Sequence, residues 1–186
     1  MKLGWTVKRS RVAYSGRFPV IEDELVADLD GRELLYTYLG IDSRAVAVMA
    51  SDGRGRILTV REYRHPIGCV VTDLPLGSVH RGESSREAAQ RELREETGYD
   101  AGNLVHLGTV FPLPALARLA FDYYFATDLT MTEADPDPAE ILEVAWMNFD
   151  EVLDGVMNDE LQHGSLPHAT MLAMHKGLVK PRGTVD

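Results

Sequence analysis

Residues 77–99 read GSVHRGESSREAAQRELREETGY. The second half of this stretch carries every local signal of a helix. Ser84-Ser85-Arg86-Glu87 has the Ser-x-x-Glu form in which a serine caps the helix and the glutamate reaches back to the cap amide. Strong helix formers follow from Glu87 to Glu96, and Gly98 stands where a left-handed C-cap belongs. The pattern predicts a helix over 85–97. On that helix Glu92 and Glu96 lie one above the other, and Glu95 borders the same face. Carboxylates within ~6 Å repel by roughly 2–3 kcal/mol per pair at an effective dielectric of ~20. Helix propensity does not demand that cost, since Gln or Lys would serve as well. A divalent cation turns the repulsion into attraction. Mg²⁺ prefers hard oxygen ligands and keeps several waters, which suits carboxylates at helical spacing. On this feature alone, a solvated acidic face with Arg91 and Arg94 as counter-ions is the plainer alternative.

Outward from the helix, the chain reads as strands and then helices. Upstream, 44–50 and 56–63 flank the turn Ser51-Asp52-Gly53-Arg54-Gly55, and 18–26 and 33–39 flank Asp30-Gly31. A short strand over Trp5-Thr6-Val7 opens the chain. Downstream, strands are expected at 105–111, 119–126 and 142–147. An exposed acidic loop is expected at 131–140, and helices at 150–162 and 166–178. Ala88, Ala89 and Leu93 should face the core, with Met157, Met171 and Met174 as fillers of the closing helices. Strands and helices without strict alternation predict an α/β fold of the α+β type. Its mixed central sheet would be covered by helices on both faces, with an N-terminal antiparallel strand extension. The expected divisions are an extension over 1–42, a main domain over 43–180 and a tail over 181–186.

The chain has 186 residues, with 19 Lys and Arg against 29 Asp and Glu, a formal net charge of −10. That surplus of acid argues against nucleic acid or an anionic membrane as partner, because such affinity comes from neutralising phosphates with basic residues. It leaves a small phosphorylated substrate open, since a bound cation supplies positive charge. The lone Cys69 cannot form an internal disulfide, and no apolar run approaches the ~20 residues that span a bilayer. A cytoplasmic protein is expected. Cys69 and the six histidines show no nucleophile or metal-ligand spacing.

Read in full, residues 77–99 give Gly, five residues, Glu, seven residues, then Arg-Glu-Leu-x-Glu-Glu-x-Gly and a bulky residue. This resembles the Nudix box at all nine of its fixed positions across 23 residues. The resemblance implies an α/β/α sandwich and metal-dependent hydrolysis of a diphosphate bond in a nucleoside diphosphate derivative, with Mg²⁺, or Mn²⁺ in its place. Carried over by position, Glu92 and Glu96 would be the principal metal ligands, and Glu95 a ligand or water-orienting group. Gly77 would let the loop turn tightly and bring backbone close to the metal, Glu83 and Arg91 would stiffen loop against helix, and the carbonyl of Leu76 would add a metal ligand.

Three features resemble the ADP-ribose pyrophosphatase branch. The segment 60–66, VREYRHP, offers Arg64 as a phosphate clamp. Pro114 lies 15 residues past the box (114 − 99 = 15). The acidic loop offers Glu140, with Glu133 and Asp137 behind it, as base or extra ligand. Two departures stand out: Asp73-Leu74-Pro75-Leu76-Gly77 where the branch usually reads Glu-Leu-Pro-Ala-Gly, and Pro114-Ala115 where it usually has Pro-Gly. The resemblance also implies a homodimer built on the N-terminal strands, with Trp5, Tyr14, Phe18, Tyr36 and Tyr38 as anchors. Two alternatives stay open: a catalytically silent ligand sensor on the same fold, and a hydrolase of nucleoside triphosphates or dinucleoside polyphosphates.

Overall fold

The computed structural model describes residues 4–132, 141–161 and 164–182. Two compact units are found, one from Met1–Ser43 with Phe111–Ala120, the other from Arg44–Val110 with Phe121–Asp186.

In the first unit, β1 (Trp5–Tyr14), β2 (Val20–Ala27) and the first part of β3 (Glu33–Ala50) form an antiparallel meander. The turn before β3 holds Gly31 at a φ of 72°, a conformation that side chains resist. The opening strand runs well past the predicted Val7. The charges that interrupt its apolar pattern are met across the ladder, Arg9 by Glu24 and Arg11 by Glu22. Trp5, Val7, Val12, Tyr14 and Phe18 stay exposed. Tyr36 and Tyr38 turn into their own unit: the Tyr36 hydroxyl donates to the Ala115 carbonyl at 2.6 Å, and that of Tyr38 to Asp23 Oδ2 at 3.2 Å.

In the second unit the sequence Ala45–Ala50 decides the architecture. Residues Val46 through Ala50 of β3 have no solvent exposure. A strand apolar on both sides needs cover on both faces. Val46, Val48 and Ala50 pack with Ala88, Ala89 and Leu93 of α1 (Ser85–Thr97). Ala47 and Met49 pack on the other face, with Phe149 and Val152 of α2 (Phe149–Met157) and Ala169 and Ala173 of α3 (Ser165–His175). This is the expected α/β/α arrangement. Beside β3 lie β8 (Ala117–Met131) and then β7 (Tyr99–Val110), antiparallel to β8; β6 (Leu76–Ser78) pairs antiparallel with β3. From Arg44 at Asp122 to the Ser51 amide at the Ala126 carbonyl, β3 and β8 advance in the same direction, so the sheet is mixed. A second, antiparallel sheet has the order β5 (Cys69–Asp73), β4 (Arg56–Arg64), β9 (Ile141–Asn148).

Several elements depart from the sequence reading. Strands β5 and β6 were not expected: they are short, and Pro75 lies between them. Their pairing comes from β4 and β3, distant in sequence. Helix α2 ends at Met157, short of the predicted residue 162, where Asn158 closes it by donating to the Asp154 carbonyl. Helix α3 ends at His175, short of 178, and Gly177 follows at a φ of 66°. Two methionines are not core fillers. Met157 is the last residue of its helix and Met171 lies opposite the buried face of α3, and both are exposed; Met174 packs on the core.

One buried carboxylate ties the second unit together. Asp122 on β8 accepts from Arg44 on β3 at 2.7 Å, from the Thr109 hydroxyl on β7 at 2.6 Å and from the Ser85 hydroxyl at the start of α1. Burial opposes its charge, but the Ser85, Thr109 and Arg44 donors outweigh that and hold its carboxyl below the usual range. Arg44 keeps about half its side chain in solvent (47%), so loss of Asp122 would not strand a buried cation. We therefore expect Asp122→Ala to cost about 2 kcal/mol, below the range for breaking a fully buried pair. Urea unfolding reads this as a lower midpoint at unchanged slope.

Candidate active site

The helix α1 that carries the glutamates is fixed at both ends as its sequence indicated. Ser84 caps it by accepting from the Glu87 amide at 3.3 Å, while Glu87 Oε2 accepts from the Ser84 amide at 2.9 Å. Gly98 at a φ of 73° closes it by donating to the Arg94 carbonyl. Buried Leu93, Ala88 and Ala89 set its rotation against β3. Glu92 and Glu96 are thereby turned toward β6, and Glu95 toward Arg91.

Arg91 is the centre of the arrangement. Its Nε and Nη2 donate to the two oxygens of Glu83 at 2.9 and 3.0 Å, a bidentate pair. Its Nη1 reaches Glu92 Oε1 at 2.8 Å and Glu95 Oε2 at 3.0 Å, and Nη2 also reaches the Ser78 carbonyl. Glu83 accepts in addition from the His80 amide at 2.9 Å, so one guanidinium stiffens the whole loop before the helix. Arg91 and the His80 amide hold the Glu83 carboxyl at about 2.

The other two carboxylates show the opposite tendency. Burial raises the Glu92 carboxyl above its usual value, against the pull of Arg91. Glu96 is pushed to about 9, first by burial, then by the charges of Glu92 and Glu62. The Leu76 amide donates to Glu96 Oε2 at 3.2 Å. Gly77 lies directly under Glu92, where a Cβ would stand 2.0 Å from Glu92 Oε1. Its φ lies outside the left-handed region, so this close approach, not the tight turn that the sequence suggested, explains the glycine.

These residues fit a hard divalent cation. Buried Glu92 and half-buried Glu96, one turn apart and lying against the backbone of Gly77 and Leu76, supply the right donor chemistry. Among the described residues no three acidic, imidazole or thiol side chains converge on one point, Glu95 being drawn to Arg91 and Glu96 to the Leu76 amide.

Arg64, at the end of β4, is ion-paired with Glu62, and its charge acts on Glu96. Pro114 belongs to the first unit, where it lines a cavity of about 340 Å³ with Tyr36, Tyr38, Phe111 and Leu116. Glu140, with Glu133 and Asp137, lies outside the described residues. Asp73, where the branch usually has Glu, is fully buried; its Oδ1 accepts from the Leu74 amide at 2.8 Å and from the Ser165 hydroxyl, tying the approach to Gly77 to α3. The sequence reading passed over Glu62, whose alternation with Arg64 on one strand face was the available signal.

A family model for the NUDIX domain matches residues 42–167. The chain belongs to the Nudix family. Its relatives include the ADP-ribose pyrophosphatase of Bacillus subtilis (strain 168), 30% identical over 127 residues, covering 67% of this chain and 69% of that protein. The ADP-ribose pyrophosphatase of Mycobacterium tuberculosis is 32% identical over 145 residues, 74% of this chain and 69% of the other. Among solved structures, one described as an ADP compounds hydrolase aligns with a TM-score of 0.84 over 94% of this chain and 95% of its own, at 21% identity, which speaks for the fold. The protein is a Nudix pyrophosphohydrolase. Nudix hydrolases generally use divalent metals. Among the described residues no helix of this Nudix protein is long and apolar enough to cross a membrane.

Proposed function

We propose that this Nudix pyrophosphohydrolase cleaves the diphosphate of ADP-ribose or a related nucleotide sugar, giving a nucleoside monophosphate and a sugar phosphate. The observation that carries this reading is the pair Glu92 and Glu96, one turn apart against the backbone of Gly77 and Leu76, with both carboxyls raised above their usual range by burial, on a chain whose relatives include ADP-ribose pyrophosphatases. Glu92, Glu95, Glu96 and the Leu76 carbonyl would hold Mg²⁺, with Mn²⁺ able to replace it. Bound there, the ion would offset the charge of the diphosphate and lower the pKa of a water. Arg91 keeps Glu92 and Glu95 in place. Arg64 would contact a phosphate oxygen, Glu95, half exposed, would hold the ion or orient the attacking water, and Glu140 would serve as base. Pro114 is carried as a substrate contact from the likeness to the ADP-ribose pyrophosphatase branch alone.

The exposed Trp5, Tyr14 and Phe18 support a homodimer joined through the N-terminal strands, with the cytoplasm as its place. The complete carboxylate set speaks against a silent sensor.

The test is product identification. With Mg²⁺, incubation with ADP-ribose is expected to release AMP and ribose 5-phosphate, and chelation to stop it. Pyrophosphate release from nucleoside triphosphates, cleavage of dinucleoside polyphosphates only, or no turnover on any of them would each overturn the substrate reading. Light scattering on the same sample should give twice the chain mass of 20.6 kDa; a monomer would overturn the dimer.

A further inference from the structure

Strand β4 presents two opposite charges on the face it shares with the core under α1. Leu58 packs into that core, and the alternate residues Val60, Glu62 and Arg64 continue the same face. Glu62 is only 7% exposed and is ion-paired with Arg64. The register with β9 slips at this point: Arg61 faces Glu143 whereas Glu62 faces Ile141, so β9 carries an extra residue. Such bulges re-aim side chains and are frequent beside active sites. The helix that carries Glu96 covers this face of the strand, with Ala88, Ala89 and Leu93 packed on Leu58, and the charges of Glu62 and Arg64 both reach Glu96.

The Arg64 guanidinium therefore has two carboxylates to choose from. A pair with Glu96 would occupy a carboxylate assigned above to the cation and turn Arg64 away from the substrate. Glu62 competes for the guanidinium. The Arg64 side chain keeps about a third of its surface in solvent (33%), so part of the fork remains for an anion. A carboxylate buried to this degree costs free energy that an apolar residue at the same strand position would not, which a purely structural role leaves unexplained.

We propose that Glu62 is a positioning residue, which holds Arg64 off Glu96 and leaves the open edge of the guanidinium to a diphosphate oxygen. This rests on the reading of the site given above. Its charge is the operative property, so Glu62→Gln, which keeps the shape, should behave like Glu62→Ala, and Glu62→Asp should rescue.

Calorimetric titration with methylenediphosphonate, a diphosphate that cannot be hydrolysed, tests this in the presence of Mg²⁺. Glu62→Ala, Glu62→Gln and Arg64→Ala should each weaken binding roughly tenfold, the scale of one charge-assisted hydrogen bond. Glu62→Asp should stay within about threefold, and the double variant Glu62→Ala/Arg64→Ala should bind no more weakly than Arg64→Ala. Multiplicative losses in the double variant, unchanged or tighter binding by Glu62→Gln, or no binding by the parent would overturn it. Failure of the parent to cut ADP-ribose, with these binding results intact, would count against the substrate reading alone.

Discussion

With Glu96→Gln, hydrolysis of ADP-ribose should fall by roughly 10²–10³-fold, while the metal-free protein keeps or gains thermal stability. A variant that loses activity by unfolding would lose both. The two effects separate because Glu96 is a liability to the fold until a cation arrives. Its half-buried carboxyl is held at about 9 by desolvation and by the charges of Glu92 and Glu62, against an ordinary value of 4.5. Between those values the folded chain binds a proton that the unfolded chain has released, so stability falls as pH rises through that window. In chelator, the melting temperature of the parent should therefore decline from about 4.5 toward about 9. Gln carries no titrating proton, and the decline should flatten. Added Mg²⁺ should restore the parent at the alkaline end and do little for the variant, since an ion that binds only the folded state stabilises it by mass action. Full turnover by Glu96→Gln would sink the assignment of this residue to the metal.

How much of this could be read from the chain depends on how local the cause is. Helix α1 was legible because its cap, its C-terminal glycine and its glutamate stack are all set by neighbours within a few positions. The covering of the sheet on both faces was expected from strands and separate helices without strict alternation; the six apolar residues in a row, Ala45–Ala50, are the local cause that reading did not use. What escaped depends on register. The Glu62 side chain is buried because its face of β4 continues from Leu58 into the core under α1, and the alternation within the strand does not say which face is covered. Asp122 looks like one polar residue in a strand, yet its partners come from positions 44, 85 and 109. Strand β1 was cut short at Val7 because the cross-strand partners of Arg9 and Arg11 lie elsewhere in the sequence. Gly77 was expected to serve a tight turn and a close backbone approach; its φ does not call for the turn, and its contact with Glu92 was not foreseen. That contact became visible only when Glu92, fifteen residues on, was seen to occupy the space a side chain would need.

That contact makes Gly77→Ala the second large prediction. The added methyl would lie 2.0 Å from Glu92 Oε1, 2.1 Å from Cδ and 2.4 Å from Oε2, so something must move. The strand resists, because Gly77 faces Val46 in the ladder with β3, and Val46 is fully buried. The carboxylate is the softer side: it can rotate toward solvent at the expense of its bond to Arg91 Nη1. Burial already disfavours its charge, so leaving the site costs the fold little. We therefore expect a stability change within ~1 kcal/mol. Catalysis should suffer far more. A ligand displaced by an ångström or more costs on the order of 10²-fold in rate, and the Mg²⁺ concentration needed for half-maximal activity should rise in parallel. Ser78→Ala, one residue on at an exposed position, should change neither quantity and serves as the control. Should Gly77→Ala turn over at the parent rate with unchanged Mg²⁺ dependence, Glu92 could not be the group whose position matters, and the ligand set would have to be redrawn around Glu95 and Glu96.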